Sequence, residues 1–312
     1  QGTNVAKAGV DFKHTLLKHF SQFYSKSGEN EDIKLNLLFP EGYAENERQI
    51  HRENSVTSKD EDPSRERYYR AKDFVGLEEV AKIEFLVPLF AEALGTFLLV
   101  LIGCASCITW VEGQPPTVLH IAFTFGLAVA ALAQFLGPIS GCHVNPAVTV
   151  GLLVSGNCSF LRALCYIVCQ SCGAIAGSVV LKVGISTISL GLGATDLGEG
   201  VDAGQGIIME AIVTFLLVLV VHAVTDPKRN DTKGWAPLAI GLAIAVSHMA
   251  AVPFTGSSMN PARSLGPAVI LTQWANQWVY WVGPLAGGAI AGGLYRMGFR
   301  STKESEEASY DF

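Results

Sequence analysis

The chain has 312 residues, 28 of them acidic and 22 basic, with a net charge of -6 and 49% apolar side chains. The acidic balance excludes a nucleic-acid surface. Charge is unevenly divided: residues 1–84 hold 13 of the 22 Lys and Arg and 16 of the 28 Asp and Glu, so the chain reads as a polar tail followed by a membrane body, not as two average soluble domains.

Residues 1–82 contain no long apolar run. Leu16, Leu17, Phe20, Phe23 and Tyr24 lie among Lys13, Lys18 and Lys26, a pattern that suits either a basic amphipathic helix on a membrane surface or a disordered or docked segment. Residues 45–73 are densely charged and read as disordered. Six apolar segments follow, at about 85–110, 118–136, 160–182, 207–225, 235–252 and 277–297, each near the roughly 20 residues of a spanning helix. The organisation expected is a cytoplasmic extension (1–82), a membrane body (83–298, in repeats of about 84–183 and 205–297) and a cytoplasmic tail (299–312). The seven cysteines fall in or beside apolar spans, which argues against a disulfide framework. Cys104-x-x-Cys107 and the face shared by Cys165, Cys169 and Cys172 read as packing, not as redox or metal chemistry.

Between the second and third spans lies Pro138-Ile139-Ser140-Gly141-Cys142-His143-Val144-Asn145-Pro146-Ala147, and between the fifth and sixth lies Pro253-Phe254-Thr255-Gly256-Ser257-Ser258-Met259-Asn260-Pro261-Ala262. Each contains a helix start, with Asn as the cap and Pro at the first helical position. Each is followed by too few apolar residues to cross a bilayer, and so reads as a half-helix. The two are 115 residues apart and belong to a longer duplication. Glu92-Ala93-Leu94-Gly95-Thr96 matches Glu210-Ala211-Ile212-Val213-Thr214, Gly126 matches Gly241, and Gly173–Gly177 aligns with Gly288–Gly292.

Basic residues precede the first span (Arg70, Lys72, Lys82), separate the fourth from the fifth (Lys228, Arg229, Lys233) and follow the sixth (Arg296, Arg300, Lys303). By the positive-inside rule both termini are cytoplasmic. Three spans per repeat then make the halves inverted, and such repeats place a substrate path at their interface. The sequons at Asn157 and Asn230 fall on the cytoplasmic side and are expected to stay unmodified.

Five charges lie within or at the ends of the spans and half-helices: Glu92, Arg162, Lys182, Glu210 and Arg263. Intramembrane charge is expensive and asks for a reason. Glu92 and Glu210, at matched positions, suit acceptors for backbone N–H groups of the re-entrant loops; a proton relay is the sharper alternative. Snorkelling accounts for Arg162 and Lys182. Arg263 has Val148 as its repeat partner, so the duplication does not explain it. Asn145 and Asn260 are read as caps that use the side-chain oxygen and leave the NH2 free to meet a passing molecule.

These features resemble the aquaporin family, over roughly residues 84–297. The resemblance implies an all-α membrane protein, with six transmembrane helices and two re-entrant half-helices in an inverted repeat. It also implies one pore per subunit, a homotetramer in a lipid bilayer, water as permeant and no cofactor. The family's pore motifs map onto Asn145, Pro146, Ala147, Asn260, Pro261 and Ala262. Its four-residue selectivity filter maps onto Phe125, His248, Ser257 and Arg263. The quartet resembles water-selective members; glycerol-conducting relatives carry Gly in place of His248 and Asp in place of Ser264. Ser257 departs from mercury-sensitive members, which have Cys there, so Cys142, its repeat counterpart, becomes the candidate pore thiol. The wording around the boxes resembles insect members. No catalytic constellation is evident, so an enzyme is not expected. A urea or glycerol facilitator and a junction protein on the same fold are the rival readings, and the plasma membrane is the expected location.

Overall fold

The computed structural model describes residues 74–184, 191–229 and 234–300. The Leu16–Tyr24 stretch, the charged run at 45–73, Asn230 and most of the C-terminal tail lie outside the described residues. Regular structure among the described residues is helical, apart from one isolated bridge between Val111 and Gln114.

The order is α1 (Leu77–Val80), a 3-10 turn (Ile83–Phe85), α2 (Leu86–Ala105), α3 (Val118–Ser140), α4 (Pro146–Ser155), α5 (Phe160–Gly184), α6 (Ala203–Thr225), α7 (Ala236–Thr255), α8 (Pro261–Leu271) and α9 (Val279–Leu294), which runs on into a π-turn at Tyr295–Phe299. Five helices are long and apolar enough to cross a membrane: α2 with its preceding turn, α3, α5, α6 and α7. The first ends at Ala105, short of the expected residue 110. The ends follow from local chemistry. Thr117 caps α3 by accepting from His120 N at 3.1 Å. Asp202 and Gln205 form a reciprocal capping box at the start of α6. Gly141 and Gly256 end α3 and α7 in left-handed conformation, with φ of 87° and 75°.

The two repeats interlock. α2 packs on α5, α6 on α9, and α3 on α7. The half-helices are exchanged, α4 of the first repeat lying against α9 of the second and α8 lying against α5. At the centre of the α3–α7 crossing stand Gly126 and Gly241. A Cβ on either would come 2.5 Å from the other's carbonyl oxygen, so neither position admits a side chain without moving the helices apart.

The structure corrects one register. Gly173 faces the backbone of Ala93, and the residue facing Ala211, the repeat mate of Ala93, is Gly287, not Gly288. Likewise Tyr166 OH donates to Ser140 O and Tyr280 OH to Thr255 O, each at 2.9 Å. The third helices are therefore related by 114 residues, and the 115-residue match of their Gly-Ala-Ile-Ala-Gly strings is a coincidence of small residues.

A second correction concerns where the folded body begins. α1 lies upstream of residue 83 and is anchored: Glu79 accepts from Ser159 Oγ at 2.8 Å and pairs with Arg162. Arg162 therefore does more than snorkel. Its guanidinium also sits 5.7 Å from the Phe85 ring centre and 5.6 Å from that of Tyr166, a cation–π arrangement.

Candidate functional site

The site is built where the N-termini of α4 and α8 meet. Pro138 and Pro253 lie near the C-terminal ends of α3 and α7, and the chain then enters each re-entrant loop through left-handed residues. These are Cys142 (φ 48°) and Val144 (φ 43°) in the first loop, and Ser257 (φ 53°) and Met259 (φ 51°) in the second. Left-handed non-glycine residues cost energy and persist only where their surroundings hold them. The holders are two carboxylates. Glu92 accepts from His143 N at 2.9 Å, Val144 N at 2.6 Å, Ser140 Oγ at 2.6 Å and Gln170 Nε2 at 2.8 Å. Glu210 accepts from Ser258 N at 2.8 Å, Met259 N at 2.7 Å and Thr255 Oγ1 at 2.6 Å. Both are fully buried, and this many donors compensates a carboxylate taken out of water.

Each loop ends on its Asn. Asn145 accepts from Ala147 N at 2.7 Å, and Asn260 accepts from Ala262 N at 3.1 Å and Arg263 N at 3.2 Å. Pro146 and Pro261 follow as the first helical residues, and Ala147 and Ala262 are fully buried behind them. The amides are not free. Asn145 Nδ2 donates to Met259 O at 2.9 Å and Asn260 Nδ2 to Val144 O at 2.8 Å. One N–H of each NH2 is thus spent on the opposite loop, and one is left.

A cavity of about 400 Å³ runs past this junction. At one end it is bounded by Phe125, His248 and Arg263; both Asn residues and Cys142 line its middle, and Asn157, Thr225 and Pro227 lie at the other end. Its wall is mainly apolar, with Leu99, Val129, Val148 and Leu217 among the lining side chains. At the first end the Phe125 and His248 rings are stacked with centres 4.6 Å apart, and the Arg263 guanidinium lies 4.9 Å from the Phe125 ring centre. His248 Nδ1 is held by Ile244 O at 3.0 Å, whereas His248 Nε2 and Arg263 Nε have no protein partner. Three of the four expected filter residues thus come together. Ser257 is not among the residues lining the cavity; it is fully buried, and its Oγ has no partner.

Several polar residues escaped the sequence reading. Gln170 Nε2 bridges Glu92 and Thr149, the latter at 3.0 Å, and Thr149 in turn meets His143 Nδ1 at 3.1 Å. A lone amide in an apolar span was its only signal. Gly193 O accepts from Arg263 Nη1 at 2.6 Å, and Thr195 Oγ1 donates to Ser264 Oγ at 2.7 Å. Both lie in a Gly-rich connection without periodicity, which pattern reading passes over.

Comparison with known proteins decides the family. The family model for the major intrinsic proteins matches residues 79–295. The chain belongs to this family, the aquaporins. It is 44% identical to Aquaporin-5 of Sus scrofa over 220 residues, covering 70% of this chain and 83% of that one. It is 45% identical to human Aquaporin-1 over 225 residues, with the same two coverages. Against Aquaporin-4 of Mus musculus identity is 44% over 213 residues, 67% of this chain and 66% of the relative. Among solved structures, the aquaglyceroporin from Plasmodium falciparum superposes with a TM-score of 0.63 at 24% identity, over 69% of this chain and 97% of that one. That likeness establishes the shared fold. The family's members are channels, which agrees with a non-enzymatic role.

Proposed function

We propose that this aquaporin is a passive channel for water, driven by osmotic gradients, and that it excludes ions and protons. The observation that carries the reading is the cavity that passes both Asn side chains and reaches the clustered Phe125, His248 and Arg263. A mainly apolar wall gives a permeant few places to stick, and the few polar groups replace hydrogen bonds that it loses on entering. The remaining N–H of Asn145 and of Asn260 serves this at the midpoint. There the N-terminal ends of α4 and α8 converge, and their positive dipole ends oppose cations and hydronium. Arg263 adds a fixed charge at its end of the cavity. Phe125, His248, Ser257 and Arg263 form the selectivity filter in this reading.

By the loop charges the Arg263 end faces outward and the Pro227 end faces the cytoplasm, with both termini inside. The plasma membrane is the proposed location and a homotetramer the proposed assembly. The rival is a broader facilitator that also passes urea or glycerol. The stacked Phe125 and His248 rings and Ser264 beside Arg263 speak against it. Swelling of proteoliposomes tests the choice. Fast water flux with glycerol and urea at the rate of empty vesicles is expected, and glycerol uptake well above that rate would overturn the water-selective reading.

A further inference from the structure

The connection between α5 and α6 is where the filter arginine finds its acceptor. Residues 191–198 lie across the second re-entrant loop and touch it or its neighbours at four successive points. Gly193 O takes Arg263 Nη1 at 2.6 Å. Thr195 Oγ1 donates to Ser264 Oγ at 2.7 Å, Ser264 Oγ to Ser258 Oγ at 2.7 Å, and Ser258 Oγ to Asn260 O at 3.0 Å. The Asp196 carboxylate accepts from Gln273 Nε2 at 3.2 Å and Asn276 Nδ2 at 3.0 Å, beyond the C-terminal end of α8. Gly198 N donates to Phe254 O at 2.8 Å.

The segment is also held from the opposite side. Leu192 and Gly193 are left-handed, with φ of 47° and 65°, and Leu192 is buried. A Cβ at Gly193 would come 2.9 Å from Cys104 Cα and Cβ. The Gly193 carbonyl is therefore set between α2 and Arg263 with little room to shift. An Arg head group has several rotatable bonds behind it. What fixes it here is a carbonyl on a separate segment, and that segment keeps its place through Thr195 and Asp196.

We infer that residues 191–198 form a strap that positions Arg263, with Thr195 and Asp196 as its pegs, so that selectivity depends on two residues that never touch the permeant. Thr195 and Asp196 are positioning residues acting through Gly193 and Arg263. Thr195 is the inner peg, buried and tied to the residue that follows Arg263; Asp196 is the outer peg, exposed and tied to the chain after α8. Loosening either leaves Arg263 without a fixed acceptor, and a wandering guanidinium no longer defines the aperture or the charge barrier.

This rests on the channel reading, and the test separates the two. Parent, Thr195→Val, Thr195→Ser and Asp196→Ala are reconstituted at matched protein density, and water, urea and glycerol fluxes are measured for each. Absence of water flux in the parent would end the channel reading itself. With the parent conducting, Thr195→Val and Asp196→Ala are expected to change the urea-to-water ratio by about threefold or more, the scale of one lost hydrogen bond. Thr195→Ser should keep the parent ratio. The decisive arm repeats Thr195→Val and Asp196→Ala in an Arg263→Val background, where coupling predicts no further change. A parent-like ratio in both single variants, or effects that simply add to that of Arg263→Val, would overturn the inference. Should Thr195→Val fail to fold, the exposed Asp196 decides the matter alone.

Discussion

Asn145 and Asn260 each fasten the other's loop: the Asn145 amide donates to the residue before Asn260, and the Asn260 amide donates to the residue before Asn145. Both bonds are buried and they are pseudo-symmetric. The same side chains cap the two half-helices through their oxygens, so one residue type performs a local task and a long-range one.

The two tasks separate by mutation. Asn260→Ser keeps a capping oxygen but is too short to reach Val144 O, whereas Asn260→Ala loses both. A lost cap costs about 0.5–2 kcal/mol, and an orphaned buried carbonyl adds roughly 1–3 kcal/mol. The expected order of thermal stability in detergent is parent, then Ser, then Ala. A Ser variant as stable as the parent would show that the cross-loop bond contributes nothing.

Glu92 and Glu210 each accept two consecutive backbone N–H groups through different oxygens. In Glu→Gln one oxygen becomes an NH2, and one backbone donor is necessarily left facing another donor. Each substitution should destabilise the fold by roughly 1–3 kcal/mol, read as a lower unfolding midpoint. Proton conductance should stay at background. A Gln variant of unchanged stability with altered proton flux would favour the relay reading over the structural one.

His248→Gly removes one of the two stacked rings lining the cavity and leaves Phe125 and Arg263 in place. Glycerol uptake should rise well above that of the parent, with water flux retained. The stack itself contributes on the order of 1 kcal/mol, so folding should survive. Equal glycerol rates in parent and variant would sink the argument that ring bulk sets the size limit.

What could be read in advance follows from which signals are local. The caps at Asn145 and Asn260, the prolines after them and the matched Glu92 and Glu210 are short motifs repeated in apolar surroundings, and they were legible. The meeting of Phe125, His248 and Arg263 was legible only through a family's spacing, because Phe125 and His248 come from different repeats and meet by the α3–α7 crossing. The strap was not legible. Gly193 acts through a backbone carbonyl, which no side-chain pattern encodes, and Thr195 and Asp196 sit in a connection with no periodicity. The register of the third helices is ambiguous in the sequence because small residues recur along both helices at several offsets. The facing carbonyls of Ala93 and Ala211, not identity, select Gly173 and Gly287.

Cys142 is the expected point of attack for mercurials. Ser257, its repeat counterpart, has no thiol. Of the seven free cysteines, Cys142 alone is part of the cavity wall. Cys104 and Cys158 are buried, while Cys107, Cys165, Cys169 and Cys172 have exposed surface that does not line the cavity. Cys142 is half-buried, so its reaction should be slow, since a thiol must be reachable and ionised to attack metal. In the proposed orientation its part of the cavity lies toward the cytoplasm, and a small membrane-permeant mercurial should then act faster from that face. Water flux through the parent should fall progressively with exposure time and recover with an added thiol. Cys142→Ala should conduct like the parent and lose the sensitivity, because Ala fits the same half-buried space without a sulfur. Equal block of parent and Cys142→Ala would mean that the thiol packs beneath the loop without reaching the lumen, and that the mercurial acts elsewhere.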